Sequence, residues 1–173
     1  ASIVATDTKD FQFSGGNYVC CQVGDNEILK FDYKIPLCTW THLAFVAVRE
    51  GGKTVLSFYA NGKYIGSHVY FGNKVLPPTQ YIGDKRSSFI GMLGEVRYWN
   101  VARSAEELRR DMVWPLQSIP EAVQQQLVGF WRFNVGSGCY IDDLSHHHTS
   151  TYVHNIEWAK EEAAKAKWNT SID

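Results

Sequence analysis

Short apolar stretches with alternating polar positions dominate the first two thirds of the chain. Phe11 and Phe13 alternate with polar neighbours, and Tyr18 to Val23 forms an apolar run. Gly24-Asp25-Asn26 reads as a turn, Ile28-Leu29-Lys30-Phe31 as a strand, and Pro36 closes that stretch. His42 to Val48 is nearly continuous and apolar. It is short for a helix and rich enough in β-formers to predict a buried strand. Gly51-Gly52 is a turn, after which Thr54–Ala60 and Lys63–Tyr70 flank Asn61-Gly62. Asn-Gly between strand-like runs predicts a hairpin, because a type I′ turn needs two residues at positive φ. Pro77-Pro78 breaks the pattern. Tyr81-Ile82-Gly83 and Phe89-Ile90-Gly91 read as short strands around the polar loop Asp84 to Ser88, and Glu95 to Trp99 as another.

The period then changes. Ser104-Ala105-Glu106-Glu107 is a capping box, in which hydroxyl and carboxylate satisfy each other's backbone donors, and a helix through Leu108 and Met112 should follow. Ser118-Ile119-Pro120-Glu121 repeats the device before a second short helix. Strand character returns at Val128 to Phe133. Ile156 to Trp168 is rich in Ala, Glu and Lys, with Glu161 and Lys165 at a favourable helical spacing, so it predicts a surface helix. Many short strands with two small helical insertions predict an all-β protein, an antiparallel β-sandwich over residues 1–155 with a helical tail over 156–173.

Composition sharpens this reading. The chain has 173 residues, of which 45% are hydrophobic and 20% charged, enough for a core without metals or disulfides. Aromatic residues reach 14%, which suits strands. The formal net charge is −1 and there is no basic run, so bulk electrostatics do not point to nucleic acid. No apolar run approaches the roughly 18 residues of a membrane-spanning helix. Cys20, Cys21, Cys38 and Cys139 lack a CxxC spacing, and adjacent Cys20 and Cys21 should face opposite sides of a strand. Buried small hydrophobes in a reducing compartment account for them, and a disulfide of Cys38 or Cys139 is the alternative for a secreted chain.

Trp40-Thr41-His42-Leu43-Ala44-Phe45-Val46, then Leu56 through Asn61-Gly62 to Gly66, resembles the laminin-G-like family of concanavalin-A-like jelly-roll sandwiches, related to pentraxins and legume-type lectins. Tyr81-Ile82-Gly83 and Phe89 to Asn100 resemble its later strands, and Ala102 to Leu108 its short helix. Leu127 to Phe133, Gly136 to Gly138 and Asp142 to Ser145 resemble the segment that often opens such a domain. The resemblance spans roughly residues 28–145. It implies a jelly-roll fold and says little about the ligand. The Trp131–Asp143 segment follows the body instead of preceding it, and opening strands ahead of residue 10 are not evident. A fragment of a larger protein, or a permuted sandwich, is therefore expected. Gly94 stands where the family often has an Asp.

Candidate chemistry follows from these segments. Asp142 and Asp143 lie in a polar turn where the resemblance implies a calcium ligand. Asp84, Lys85 and Arg86 form a charged loop of the kind that carries recognition at a sandwich end, and Trp99 with Asn100 offers an aromatic beside a polar group. His146-His147-His148 reads as an exposed loop, since consecutive residues cannot converge on one ion. Glu95 is the lone carboxylate of its strand, whereas a glycosidase needs two flanking the scissile bond. No Gly-x-Ser-x-Gly elbow occurs. The expected function is a noncatalytic lectin-like module for carbohydrate or glycoprotein. The alternative is a protein-interaction or structural module in a larger assembly. Family resemblance leans extracellular, and the adjacent cysteines lean intracellular.

Overall fold

The computed structural model describes residues 2–5, 10–13, 16–23, 27–71, 81–82, 90–113, 115–148 and 150–158. The chain divides between Ile90 and Gly91 into two compact units.

The first unit contains β1 (Ser2–Ala5), β2 (Asp10–Phe13), β3 (Tyr18–Val23), β4 (Glu27–Lys34), β5 (Leu43–Glu50), β6 (Lys53–Ala60), β7 (Lys63–Phe71) and β8 (Tyr81–Ile82). A five-stranded antiparallel sheet runs β4-β3-β2-β1-β8, and a three-stranded one runs β5-β6-β7. Strict alternation along β6 buries Thr54, Leu56, Phe58 and Ala60 and leaves the intervening side chains half exposed. Along β4 it buries Leu29 and Phe31 and turns Lys30, Asp32 and Lys34 outward. The inward sets of the two sheets pack together: Val19, Cys21, Leu29 and Phe31 from one, Leu56, Phe58, Ala60 and Tyr70 from the other. Phe31, Phe45 and Phe58 form an aromatic centre with ring centroids 4.9 to 5.9 Å apart, within the range where edge and offset arrangements are attractive.

Turn chemistry sets the register. Asn61 and Gly62 take φ of 49° and 72°, as the hairpin requires. The Asn61 carboxamide oxygen accepts the His42 N–H at 2.8 Å, and the Asn61 N–H donates to the His42 carbonyl at 2.8 Å. The hairpin tip is thereby tied to the chain entering β5.

The second unit contains β9 (Glu95–Trp99), α1 (Ala105–Asp111), a 3-10 turn at Leu116–Ser118, α2 (Glu121–Gln124), β10 (Leu127–Arg132), β11 (Tyr140–Ile141) and β12 (Thr151–Tyr152). β9 pairs with β10 and β11 with β12, both antiparallel. The expected capping box forms in full: Ser104 Oγ accepts the Glu107 N–H at 3.2 Å, and the Glu107 carboxylate accepts the Ser104 N–H at 2.8 Å. Buried Arg103 pairs with Asp111 and with Glu107 (2.9 Å), and its guanidinium lies 4.6 Å from the Trp99 ring centroid. The Arg97 guanidinium donates to the Asp111 carbonyl at 2.8 Å, which ties α1 back to β9.

Several expectations differ from the structure. A strand is present ahead of residue 10, at Ser2–Ala5, and it pairs with both β2 and β8. Ile90 and Gly91 lie outside any strand, and Ile90 is 96% exposed. The second capping box does not form. Ser118 ends the 3-10 turn, and Pro120, which has no side-chain acceptor, occupies the cap of α2. Cys20 is buried although it faces away from Cys21, while Cys38 and Cys139 are exposed thiols. Ile156 to Trp158 is not helical, and the rest of the expected tail helix lies outside the described residues.

Candidate functional site

The outer surface of the larger sheet carries a shallow cleft of about 260 Å³ lined by Tyr18, Lys30, Phe31 and Asp32. Its walls follow from strand alternation. Tyr18 opens β3 and is paired with Lys34, while Cys20 is paired with Lys30, and the register shifts between these pairs. Lys30 therefore reaches diagonally, placing its ammonium 3.9 Å from the Tyr18 ring centroid, a cation–π distance. Asp32 lies one strand period beyond Lys30 on the same outward face. A ring, an ammonium donor and a carboxylate acceptor thus converge on one concavity.

The cleft has a firm floor. Among the described residues β4 is an edge strand of its sheet, so its outer backbone groups have no strand partner there. His68 on β7 supplies one: its Nε2 lies 2.8 Å from the Lys30 carbonyl. A carbonyl only accepts, so Nε2 carries the proton there. The same imidazole stands edge-on to the Phe31 ring at 4.9 Å. Buried Phe31 and the bonded Lys30 carbonyl together fix the backbone from which Lys30 and Asp32 project.

Asp84, Lys85 and Arg86 lie outside the described residues. Trp99 is half-buried on β9, with the Arg103 guanidinium over its ring, so that ring serves packing within the second unit. Asn100 is exposed and its backbone N–H donates to the Gln126 carbonyl at 3.0 Å.

Asp142 and Asp143 have separate employments. Asp142 is exposed, with its carboxylate 3.3 Å from the Ser150 hydroxyl. Asp143 is buried at 3% exposure, and its Oδ1 accepts the backbone N–H groups of Phe130 (2.9 Å) and Ser145 (2.8 Å). A calcium ion takes 6–8 oxygen ligands from a shared opening. An outward carboxylate and a neighbouring inward one whose oxygen already holds two amides do not form such a cradle. Among the described residues, no group of three or more His, Cys, Asp or Glu could hold a metal. His146, His147 and His148 are exposed.

Glu95 is engaged by cations on both sides, with Arg97 Nε at 2.5 Å and Arg132 Nε at 3.7 Å. Sequence reasoning missed Tyr18, Lys30 and Asp32. The period-two alternation in Ile28–Phe31 signals outward Lys30 and Asp32, but no local pattern gives the diagonal to Tyr18.

Fold and site together define an antiparallel β-sandwich with an aromatic, polar cleft on one sheet's outer surface. Residues 4–109 match the laminin-G-type model of the concanavalin A-like lectin/glucanases superfamily. The match takes in more than half of the chain, and the chain belongs to this superfamily, with its jelly-roll architecture. No curated protein and no solved structure matches the chain. Among the described residues, no helix is long and apolar enough to cross a membrane.

Proposed function

We propose that this chain is a noncatalytic, lectin-like binding module of a larger, extracellular protein, and that it recognises carbohydrate or a glycoconjugate through the Tyr18–Lys30–Asp32 cleft. The observation that carries the reading is the convergence of one ring and two opposite charges on a firm-floored concavity, within a superfamily named for lectins. Sugars present an apolar C–H face and a rim of hydroxyls. The part of the Tyr18 ring that the Lys30 ammonium does not cover offers the apolar surface, Asp32 accepts from hydroxyls and Lys30 donates to them. A volume of about 260 Å³ sits below the roughly 300–1,000 Å³ of drug-sized pockets. It suits a terminal sugar residue better than an extended chain.

Recognition of this kind needs no calcium, in keeping with the engagement of Asp143 by two backbone amides. The noncatalytic reading draws on Glu95, whose carboxylate is held by Arg97 and Arg132. Glycoside hydrolysis asks for a second carboxylate across the bond.

A protein-interaction role is the second reading. It is favoured by the outward face of β5–β7, where Val69 is 48% and Phe71 83% exposed. A glycan array probed with the purified chain, in calcium and in EDTA, separates the two. The lectin reading predicts specific binding that survives EDTA. No binding at high protein concentration sinks it and leaves the protein-interaction reading.

A further inference from the structure

We propose that the β11–β12 hairpin carries a second carbohydrate platform, built from Tyr140, Tyr152 and His154. The inference rests on the reading of the chain as a glycan-binding module, but its residues lie beyond the 4–109 family match and in the other compact unit.

Tyr140 and Tyr152 stand directly opposite each other across the hairpin, with ring centroids 4.1 Å apart. The Tyr140 hydroxyl is hydrogen-bonded to Tyr152, and this bond raises its pKa. His154 follows Tyr152 by one strand period, and its ring is parallel to that of Tyr152 within 7°, with centroids 5.4 Å apart. At that separation parallel rings in contact are laterally offset, so they present adjoining surface instead of hiding each other. Tyr140 is 51% and Tyr152 56% exposed, and His154 is exposed too.

Strands of two residues do not hold such a row by themselves. The pairing continues past the two strands. The Val153 N–H donates to the Cys139 carbonyl at 2.9 Å, and the Trp158 indole N–H to the Gly138 carbonyl at 3.1 Å. Three rings thus stand in one row on a paired backbone, each exposed to solvent.

The chemistry of the row selects a neutral sugar. The rings offer apolar surface, and hydroxyl and imidazole groups at their edges can meet sugar hydroxyls. No Lys or Arg occurs between Arg132 and Lys160, so a phosphate-bearing ligand such as a nucleic acid would find no counter-charge on the segment.

The test is an array of neutral oligosaccharides probed with the full chain and with Tyr152→Ala, His154→Ala and Tyr18→Ala, each checked for folding by its melting transition. The platform predicts a subset of glycans whose binding falls about tenfold or more in Tyr152→Ala and His154→Ala and stays unchanged in Tyr18→Ala. His154 lies outside the paired strands, so His154→Ala keeps the test open should Tyr152→Ala fail to fold. If Tyr18→Ala alone removes all binding, the cleft reading stands and the platform is overturned. If the wild-type chain binds no neutral glycan, the platform is overturned, whereas the cleft reading falls only if no charged glycan binds either. Capture of an oligoproline peptide with no neutral glycan bound would overturn the platform in favour of a peptide site.

Discussion

The buried carboxylate of Asp143 accepts the Phe130 N–H at 2.9 Å, joining the polar turn after β11 to the centre of β10. The Leu144 N–H returns the link by donating to the Phe130 carbonyl at 2.7 Å, and Trp131 and Asp143 form an isolated antiparallel bridge. One side chain thus acts as a strand partner where no strand continues. Asp143→Ala would strand the buried N–H groups of Phe130 and Ser145, each at a cost of about 1–3 kcal/mol. Asp143→Asn keeps an acceptor and should lose less. Denaturant unfolding of the two variants checks the order; equal losses would show that the oxygen's acceptor role is not what matters.

Gly129 is demanded by its neighbour Trp131. A Cβ added at Gly129 would sit 2.3 Å from the Trp131 ring, far inside contact distance. Gly129→Ala should destabilise by about 1–3 kcal/mol as the ring is displaced. Combining it with Trp131→Leu should make the two changes strongly non-additive. Simple additivity in the double-mutant cycle would refute the clash.

Acid sensitivity of the second unit should centre on Asp111. Burial alone would raise its pKa, but hydrogen bonds from Arg110 and Arg103 outweigh burial and hold it below the usual carboxylate value. A depressed folded-state pKa means stability present above the unfolded value of about 3.9 and lost as pH falls through the folded one. Melting temperature measured from neutral pH downward should therefore drop in that acid window. Asp111→Asn should lower stability at neutral pH and flatten the acid slope. An unchanged slope in that variant would assign the acid transition to other groups.

The hairpin tip of β6 and β7 should be sensitive at Asn61 and Gly62. Gly62→Ala forces a Cβ onto φ of 72°, at a cost of about 1–2 kcal/mol. Asn61→Ala places Ala at φ of 49° and removes the 2.8 Å bond to the His42 N–H, so it should cost at least as much. Unfolding free energies for the pair check the ranking, and a neutral Asn61→Ala would show that the tie to His42 is dispensable.

Much of the sandwich was legible because strand formation here is local. The alternation through Thr54–Ala60, the Asn61-Gly62 turn and the Ser104–Glu107 box each declare an element within a few residues, and each is present. The Ser118 box failed because Pro120 competes for the cap position of α2. The strand at Ser2–Ala5 was missed because one of its two partners, Tyr81–Ile82, is distant in sequence. The candidate site was less legible for the same reason. Lys30 and Asp32 are marked outward by local period, whereas the meeting of Lys30 with Tyr18 depends on a register shift between β3 and β4. Asp143 drew attention as an acidic turn residue, but only its burial and its two amide partners reveal a structural task.

The most direct test of the central claim is calorimetric titration of the best-bound array glycan whose binding survives Tyr152→Ala and His154→Ala into the wild-type chain, Tyr18→Ala and Asp32→Ala, all in EDTA. The cleft account predicts saturable binding to the wild type and an affinity loss of about tenfold or more in each folded variant. Unchanged affinity in both variants would contradict it.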